Sequence, residues 1–265
     1  MAHPTGEAQQ GLLDVSQPEQ TRSTTFYAGT SGWAYAAWKP RFYPAKLPQK
    51  DFLKFYSTQL NAVEVNYTFR RLVNEKTIAA WTAQTPEHFR FAIKAHQAIT
   101  HFRRLKNAEE PLQRFVDSIQ PLAQAGRLGP VLFQLPPNLK ADLGLLSSFL
   151  ELVPRKLRAA FEFRHASWFT EDVFAILKQH QAALCLAETD ELQTPEVLTA
   201  DFGYCRFRRP EYSAEERRRI AGRMREQMKK AGEIYAFFKH EGQPESPLYA
   251  RALLESMSGT SNAAA

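Results

Sequence analysis

The stretch Ala159-Ala160-Phe161-Glu162-Phe163-Arg164-His165-Ala166-Ser167-Trp168 decides the fold. Apolar and charged residues alternate in it at period two, the spacing of a strand whose successive side chains face opposite ways. Phe161 and Phe163 therefore share one face, and Glu162 and Arg164 the other. A charge does not stay unpaired in a dry core, so the second face must hold an ion pair or open onto a cavity. The same pattern recurs in Val63-Glu64-Val65-Asn66, in Ile93-Lys94-Ala95-His96 and in Cys205-Arg206-Phe207-Arg208, with Gln134 in a fourth run. Each time the polar residues gather towards the C-terminal end of the run, where a barrel of parallel strands keeps its chemistry.

Read outward from this stretch, the chain alternates strand and helix patterns. Strands are predicted near 26–30, 62–66, 89–94, 130–134, 159–164, 182–186, 203–207 and 234–238. Between them lie helical spacings near 49–60, 74–83, 109–124, 142–152, 170–180 and 213–230, with a last one near 246–257. Thr170 is placed to cap its helix, and Ser213-Ala214-Glu215-Glu216 reads as a capping box. The segment 191–200 predicts no full helix. Eight such units argue for an α/β fold, a single (β/α)₈ TIM barrel over 25–257. A doubly wound open sheet is the alternative, but no G-x-G-x-x-G turn follows the first strand. Residues 1–24 and 258–265 have little apolar content and read as disordered tails.

Composition narrows the function classes. The 265 residues are 44% hydrophobic and carry a formal charge of +6. Residues 206–230 hold ten Lys and Arg against four Glu, which accounts for that whole surplus. Cys185 and Cys205 sit in apolar runs without metal-ligand spacing, so reduced core thiols in a cytoplasmic protein are expected. No stretch is long or apolar enough to span a membrane. No H-x-H, H-E-x-x-H or Cys/His cluster specifies a metal, and no fingerprint specifies a cofactor, so neither is expected.

The strand ends supply the candidate site. Glu64 and Glu162 have the chemistry for acid and base, with Lys94 and His96 beside them. Arg164 and Arg206 can hold a phosphate or carboxylate, because the guanidinium fork matches such anions bidentately. Thr30, Ser31, Asn66 and Gln134 complete the expected mouth. His101, in Thr100-His101-x-x-Arg104, either caps a neighbour or reaches a ligand. Trp33, Tyr35 and Trp168 are candidates to stack on a planar ring, whereas Trp38 and Phe42 read as packing. The bland alternative makes Glu162–Arg164 and Glu64–Lys94 ion pairs that merely plug the barrel. Three functions follow: an enzyme for a small anionic substrate, a nucleic-acid-binding protein using the basic helix, or a scaffold. The first is preferred, since polar residues recur in phase on separate strands while one basic helix is explained by solvation.

Several motifs resemble the YecE-like proteins. These are Gly29-Thr30-Ser31-Gly32-Trp33-x-Tyr35-x-x-Trp38, Phe42-Tyr43-Pro44, Val63-Glu64-Val65-Asn66, Thr100-His101-x-x-Arg104-Leu105, Gln134-Leu135-Pro136-Pro137 and Glu162-Phe163-Arg164-His165-x-Ser167-Trp168. The resemblance runs in order from about residue 27 to 255. It implies a TIM barrel and no particular activity, the family being a domain of unknown function. The chain departs from the family's Arg-Leu-His-Gly after strand seven, with Arg206-Phe207-Arg208-Arg209, and from its Asn pair after strand eight, with Lys239-His240-Glu241.

Overall fold

Residues 24–188, 192–239 and 242–258 are described by the structure, a computed structural model. The expected tails fall outside these residues except at their inner ends, as do Asp190, His240 and Glu241. Thr24 is anchored, its hydroxyl donating to the Met228 and Ala231 carbonyls.

Eight parallel strands form one sheet: β1 (Thr25–Thr30), β2 (Ala62–Val65), β3 (Arg90–Lys94), β4 (Leu128–Gln134), β5 (Ala159–Glu162), β6 (Ala183–Ala187), β7 (Phe202–Phe207) and β8 (Glu233–Phe238). The order β1-β8-β7-β6-β5-β4-β3-β2 is that of a TIM barrel, with β1 and β2 left to close it. Among the described residues seven α-helices surround the sheet: α1 (Phe52–Gln59), α2 (Glu75–Ala83), α3 (Glu109–Gln124), α4 (Leu143–Leu152), α5 (Glu171–Gln179), α6 (Ala214–Met228) and α7 (Glu245–Ser258). Local signals set their starts. Thr170 accepts from the Val173 amide, and Ser213 and Glu216 form the expected capping box. Between β6 and β7 no described residue is helical. There Thr199 takes over a neighbour's role, accepting from the Leu184 amide and donating to the Ala182 carbonyl.

β4 begins two residues earlier than its sequence pattern predicts. Its pairing with β3 shifts between Phe91 and Ile93, opposite Gly129 and Pro130. Pro130 has no N–H for the ladder, so a proline inside this strand is accommodated at the irregularity.

Closure between β1 and β2 is unusual, because one backbone bridge, Ser31 to Glu64, is recorded there. Side chains do the rest. Asn61 Oδ1 accepts from the Ala28 amide at 2.8 Å while its Nδ2 donates to the Phe26 carbonyl at 2.8 Å. The Tyr56 hydroxyl accepts from the Thr30 amide at 2.8 Å and donates to the Ala62 carbonyl at 3.0 Å. Gly29 lies so close that a Cβ there would stand 1.9 Å from the Ala62 carbonyl oxygen. A residue with a side chain has no room at that position.

The two strand faces make two cores. Phe26, Val63, Val65, Phe91, Ile93, Phe133, Phe161 and Phe163 pack outward against the helices. Inside the barrel, Tyr27, Phe202, Tyr204, Tyr235 and Phe237 fill the space left by Ala62, Ala92, Ala160 and Ala183. Large rings from β1, β7 and β8 thus face small residues from the other side, giving dense filling without strain. Polar residues are displaced to the C-terminal end of the interior.

Candidate functional site

At that end Arg206 of β7 is fully buried and sits between two fully buried carboxylates. Its Nη2 donates to Glu64 Oε1 at 2.9 Å, and its Nη1 pairs with Glu162 Oε2. Glu64 also accepts from the Ser31 hydroxyl (2.6 Å), the Tyr204 hydroxyl (2.7 Å) and Asn66 Nδ2 (3.2 Å). Glu162 Oε1 accepts from Arg164 Nε at 2.9 Å and from Arg208 Nη1 at 3.2 Å. Gln134 Oε1 joins Lys94 Nζ at 2.9 Å to Arg206 Nη1 at 3.4 Å. One network therefore runs from β2 through β7, β4 and β5 to Lys94 on β3.

The network sets the charges. Burial by itself would raise the Glu64 carboxyl, but Arg206 and the hydrogen bonds from Ser31 and Tyr204 hold it below its usual value. Burial opposes ionisation of Glu162 too. Arg206, Arg164 and Arg208 override it and hold that carboxyl at about 2. Both carboxylates thus stay ionised, which makes them poor proton carriers at neutral pH. Lys94 is the opposite case. Burial and the nearby Arg206 guanidinium bring its ammonium down to about 7, the range expected of an acid–base group. Its Nζ lies 4.2 Å from the Phe69 ring centre, and no carboxylate pairs with it among the described residues.

Above the network a pocket of about 490 Å³ is lined by Asn66, Tyr67, Phe69, Arg70, Arg71, Lys94 and Lys239. Lys94 and Asn66 are where the buried network meets this pocket. Beside it, sharing Asn66 and Tyr67, is an apolar pocket of about 330 Å³ that includes Trp33, Tyr35 and Trp81.

Of the residues expected at the mouth, Ser31, Glu64, Asn66, Lys94, Gln134, Glu162, Arg164 and Arg206 are linked in this network. The other six lie outside it. Thr30 has the helix-facing phase of Phe26 and Ala28, and its hydroxyl is spent on the Gly32 carbonyl and on Tyr56. Trp168 is fully buried, stacked on Phe163 at 4.6 Å with its Nε1 donating to the Leu139 carbonyl. It is packing and does not offer a ring to the mouth. His96 turns back to accept from the Ala98 amide. His101 bonds Thr100 through Nδ1, and burial together with the Lys94 and Arg164 charges lowers its imidazolium below the usual value. Trp33 stands edge-on to Trp81 at 5.5 Å, and the Tyr35 hydroxyl donates to the Ser31 carbonyl. The pairing of Glu64 is with Arg206 rather than with Lys94.

Sequence reasoning missed Tyr204, and it saw Arg208 in the strand-seven pattern without placing it at the mouth, although both share the inward phase of Arg206. Arg208 is one of the two departures from the family pattern, and it reaches Glu162. Among the described residues no three His, Cys, Asp or Glu side chains stand together to hold a metal ion. No described helix is long and apolar enough to cross a membrane.

Residues 27–264 match a family model described as "Protein of unknown function DUF72". The chain belongs to this family. Among DUF72-like relatives, the UPF0759 protein YunF of Bacillus subtilis (strain 168) is 29% identical over 150 residues, covering 54% of this chain and 52% of YunF. The UPF0759 protein YecE of Escherichia coli (strain K12) is 28% identical over 146 residues, covering 55% and 50%. The chain thus spans about half the length of the curated relatives it matches. A solved DUF72 family protein of Thermotoga maritima superposes with a TM-score of 0.79 at 26% identity, covering 88% of this chain and 99% of that one. An AP endonuclease, family 2, of Brucella melitensis reaches a TM-score of 0.51 at 10% identity, covering 85% and 96%, and shares the fold alone. These likenesses agree with the TIM barrel and with the YecE-like motifs.

Proposed function

We propose that this DUF72 protein is an enzyme for a small substrate bearing a phosphate or carboxylate, bound at the C-terminal mouth of the barrel. One observation carries the reading: among the described residues, three guanidinium groups and Lys94 meet two carboxylates at the mouth. Glu64 and Glu162 face Arg206, Arg164, Arg208 and Lys94, with Lys239 lining the same pocket as Lys94. Such a surplus in a partly desolvated cleft attracts an anion. Arg206 is enclosed and holds the two carboxylates in place, which leaves Arg164 and Arg208, a quarter and a fifth exposed, for a ligand, while Arg70 and Arg71 line the pocket itself. Lys94, brought down to about 7 by burial and Arg206, supplies the reactive group.

The basic helix α6 supports the nucleic-acid reading less well. Arg217 lies over Tyr249, Arg223 pairs with Glu196, Arg225 donates to the Ser256 carbonyl and Lys229 pairs with Glu226. Thermal denaturation with inorganic phosphate, sugar phosphates and sugar acids tests the proposal. A ligand at about 100 Kd stabilises by about 2.7 kcal/mol. Arg164→Ala or Arg208→Ala should abolish that gain, and charge reversal at Arg218, Arg219 and Arg223 should leave it. Binding of DNA or RNA that survives Arg164→Ala but not those reversals would overturn the reading.

A further inference from the structure

We propose that Lys94 is a nucleophile that forms an imine with the carbonyl carbon of an aldehyde or ketone carrying an anionic group, a deepening that rests on the anion-binding mouth. The geometry supplies what such an amine requires. Lys94 closes β3 at the C-terminal end of the barrel, buried to 8% exposure along its length yet lining the mouth pocket. Its stem is fixed by the barrel, and Nζ is aimed by a hydrogen bond to Gln134 Oε1 and by the Phe69 ring beneath it. The carboxylates that would keep an ammonium charged make their ion pairs with arginines instead. Glu64 is held by Arg206, Ser31 and Tyr204, and Glu162 by Arg206, Arg164 and Arg208. A desolvated lysine beside other cations keeps a free electron pair at neutral pH, which is how an amine becomes a nucleophile.

The other charged groups around Lys94 are Arg206, Lys239, Glu64 and Glu162, with His101 on the loop that follows β3. Arg206 and Lys239 act in the same direction as burial, which is the largest influence, and together the three outweigh the opposing pull of Glu64 and Glu162. In the proposed step the Nζ electron pair bonds to the carbonyl carbon while the carbonyl π pair moves to oxygen. Nitrogen then loses its protons and the oxygen leaves as water. The products are one imine and one water, with no change of oxidation state. Arg164 and Arg208 would hold the anionic end, which orients the carbonyl towards Nζ. The protonated imine is an electron sink, so the reaction class is one that makes or breaks a bond next to a carbonyl.

The test traps the imine in the full-length protein. The chain is incubated at neutral pH with sodium cyanoborohydride and either dihydroxyacetone phosphate or pyruvate, and reduced adducts are located by peptide mass mapping. One adduct on Lys94 is expected, forming about tenfold or more faster than on any other lysine because a larger fraction of this amine is uncharged. It should vanish in Lys94→Met and be suppressed by inorganic phosphate or by sulfate. The faster probe shows whether the anion is a phosphate or a carboxylate. Reductive methylation of the unaltered protein with formaldehyde guards against a variant that fails to fold, and Lys94 should there gain reactivity near pH 7 rather than above pH 10. Adducts spread evenly over the lysines, or an inert Lys94, would overturn the imine even while inorganic phosphate still stabilises the fold. An adduct on Lys94 without any phosphate or carboxylate stabilisation would uphold the imine and discard the anion-binding mouth.

Discussion

Arg206 and Glu64 meet at 2.9 Å inside the barrel, joining β7 to β2 with both side chains wholly excluded from solvent. Each would be costly alone, since a buried charge without its partner is strongly destabilising. Arg206 serves two carboxylates at once, so its removal leaves Glu64 with no cationic partner among the described residues and Glu162 with Arg164 and Arg208 alone. Arg206→Met should therefore lower stability by about 3–5 kcal/mol. Combining it with Glu64→Gln and Glu162→Gln should restore most of the loss. Urea denaturation of the single and triple variants checks this, and equal losses in both would refute the account.

Stability in acid should depend on Glu162. Its carboxyl is held at about 2 in the fold, below the value of 4.5 expected when the chain is unfolded. The unfolded state therefore takes up a proton first as pH falls. The contribution of Glu162 is complete above about pH 4.5 and is lost as pH drops through about 2. In Glu162→Gln the melting temperature should vary less across this window, as calorimetry would show.

Lys94 acts at the other end of the scale. Its folded value of about 7 lies below the ordinary 10.5, so between these the unfolded chain holds a proton that the fold does not. Stability from this group consequently rises with pH from about 7 to 10.5. Any advantage of Lys94→Met over the parent chain should be greatest at neutral pH and shrink as pH rises towards 10.5. Melting curves of the two proteins across that range decide it.

The β1–β2 seam predicts a different kind of defect. Tyr56→Phe removes the hydroxyl between the Thr30 amide and the Ala62 carbonyl, leaving two buried backbone groups unpaired. A loss of about 1–3 kcal/mol follows for each orphaned group. Hydrogen exchange at the Ala28 and Thr30 amides should quicken more than at β7 or β8. Uniform quickening over all strands would show that the seam is not the weak line of closure.

The mouth proposal also predicts a salt effect. Binding of inorganic phosphate through two guanidinium groups should weaken only mildly with salt, whereas contact with six nucleic-acid phosphates would give a slope near −5. Titration at low and high salt, monitored by calorimetry, separates the two outcomes.

The period-two pattern of Glu162, Arg164, Glu64, Lys94 and Arg206 was enough to put these side chains on inward faces, because side-chain direction in a strand is fixed by parity alone. The same parity was available for Tyr204, and it would have excluded Thr30, which shares the phase of Phe26 and Ala28. Helix starts at Thr170 and Ser213 were legible for a similar reason, since a cap bonds to backbone only three residues away. What sequence could not give was pairing. Glu64 chooses Arg206, 142 residues distant, over Lys94 because closure of the barrel brings β7 and β2 face to face across the interior. That choice leaves Lys94 without a carboxylate partner among the described residues, and burial together with Arg206 brings its ammonium down to about 7. Trp168 likewise looked available from its position after β5, and only the fold laid it flat on Phe163. Local order was set by the sequence through neighbours in the chain, while charge and exposure were decided by distances that exist only once the eight strands have closed.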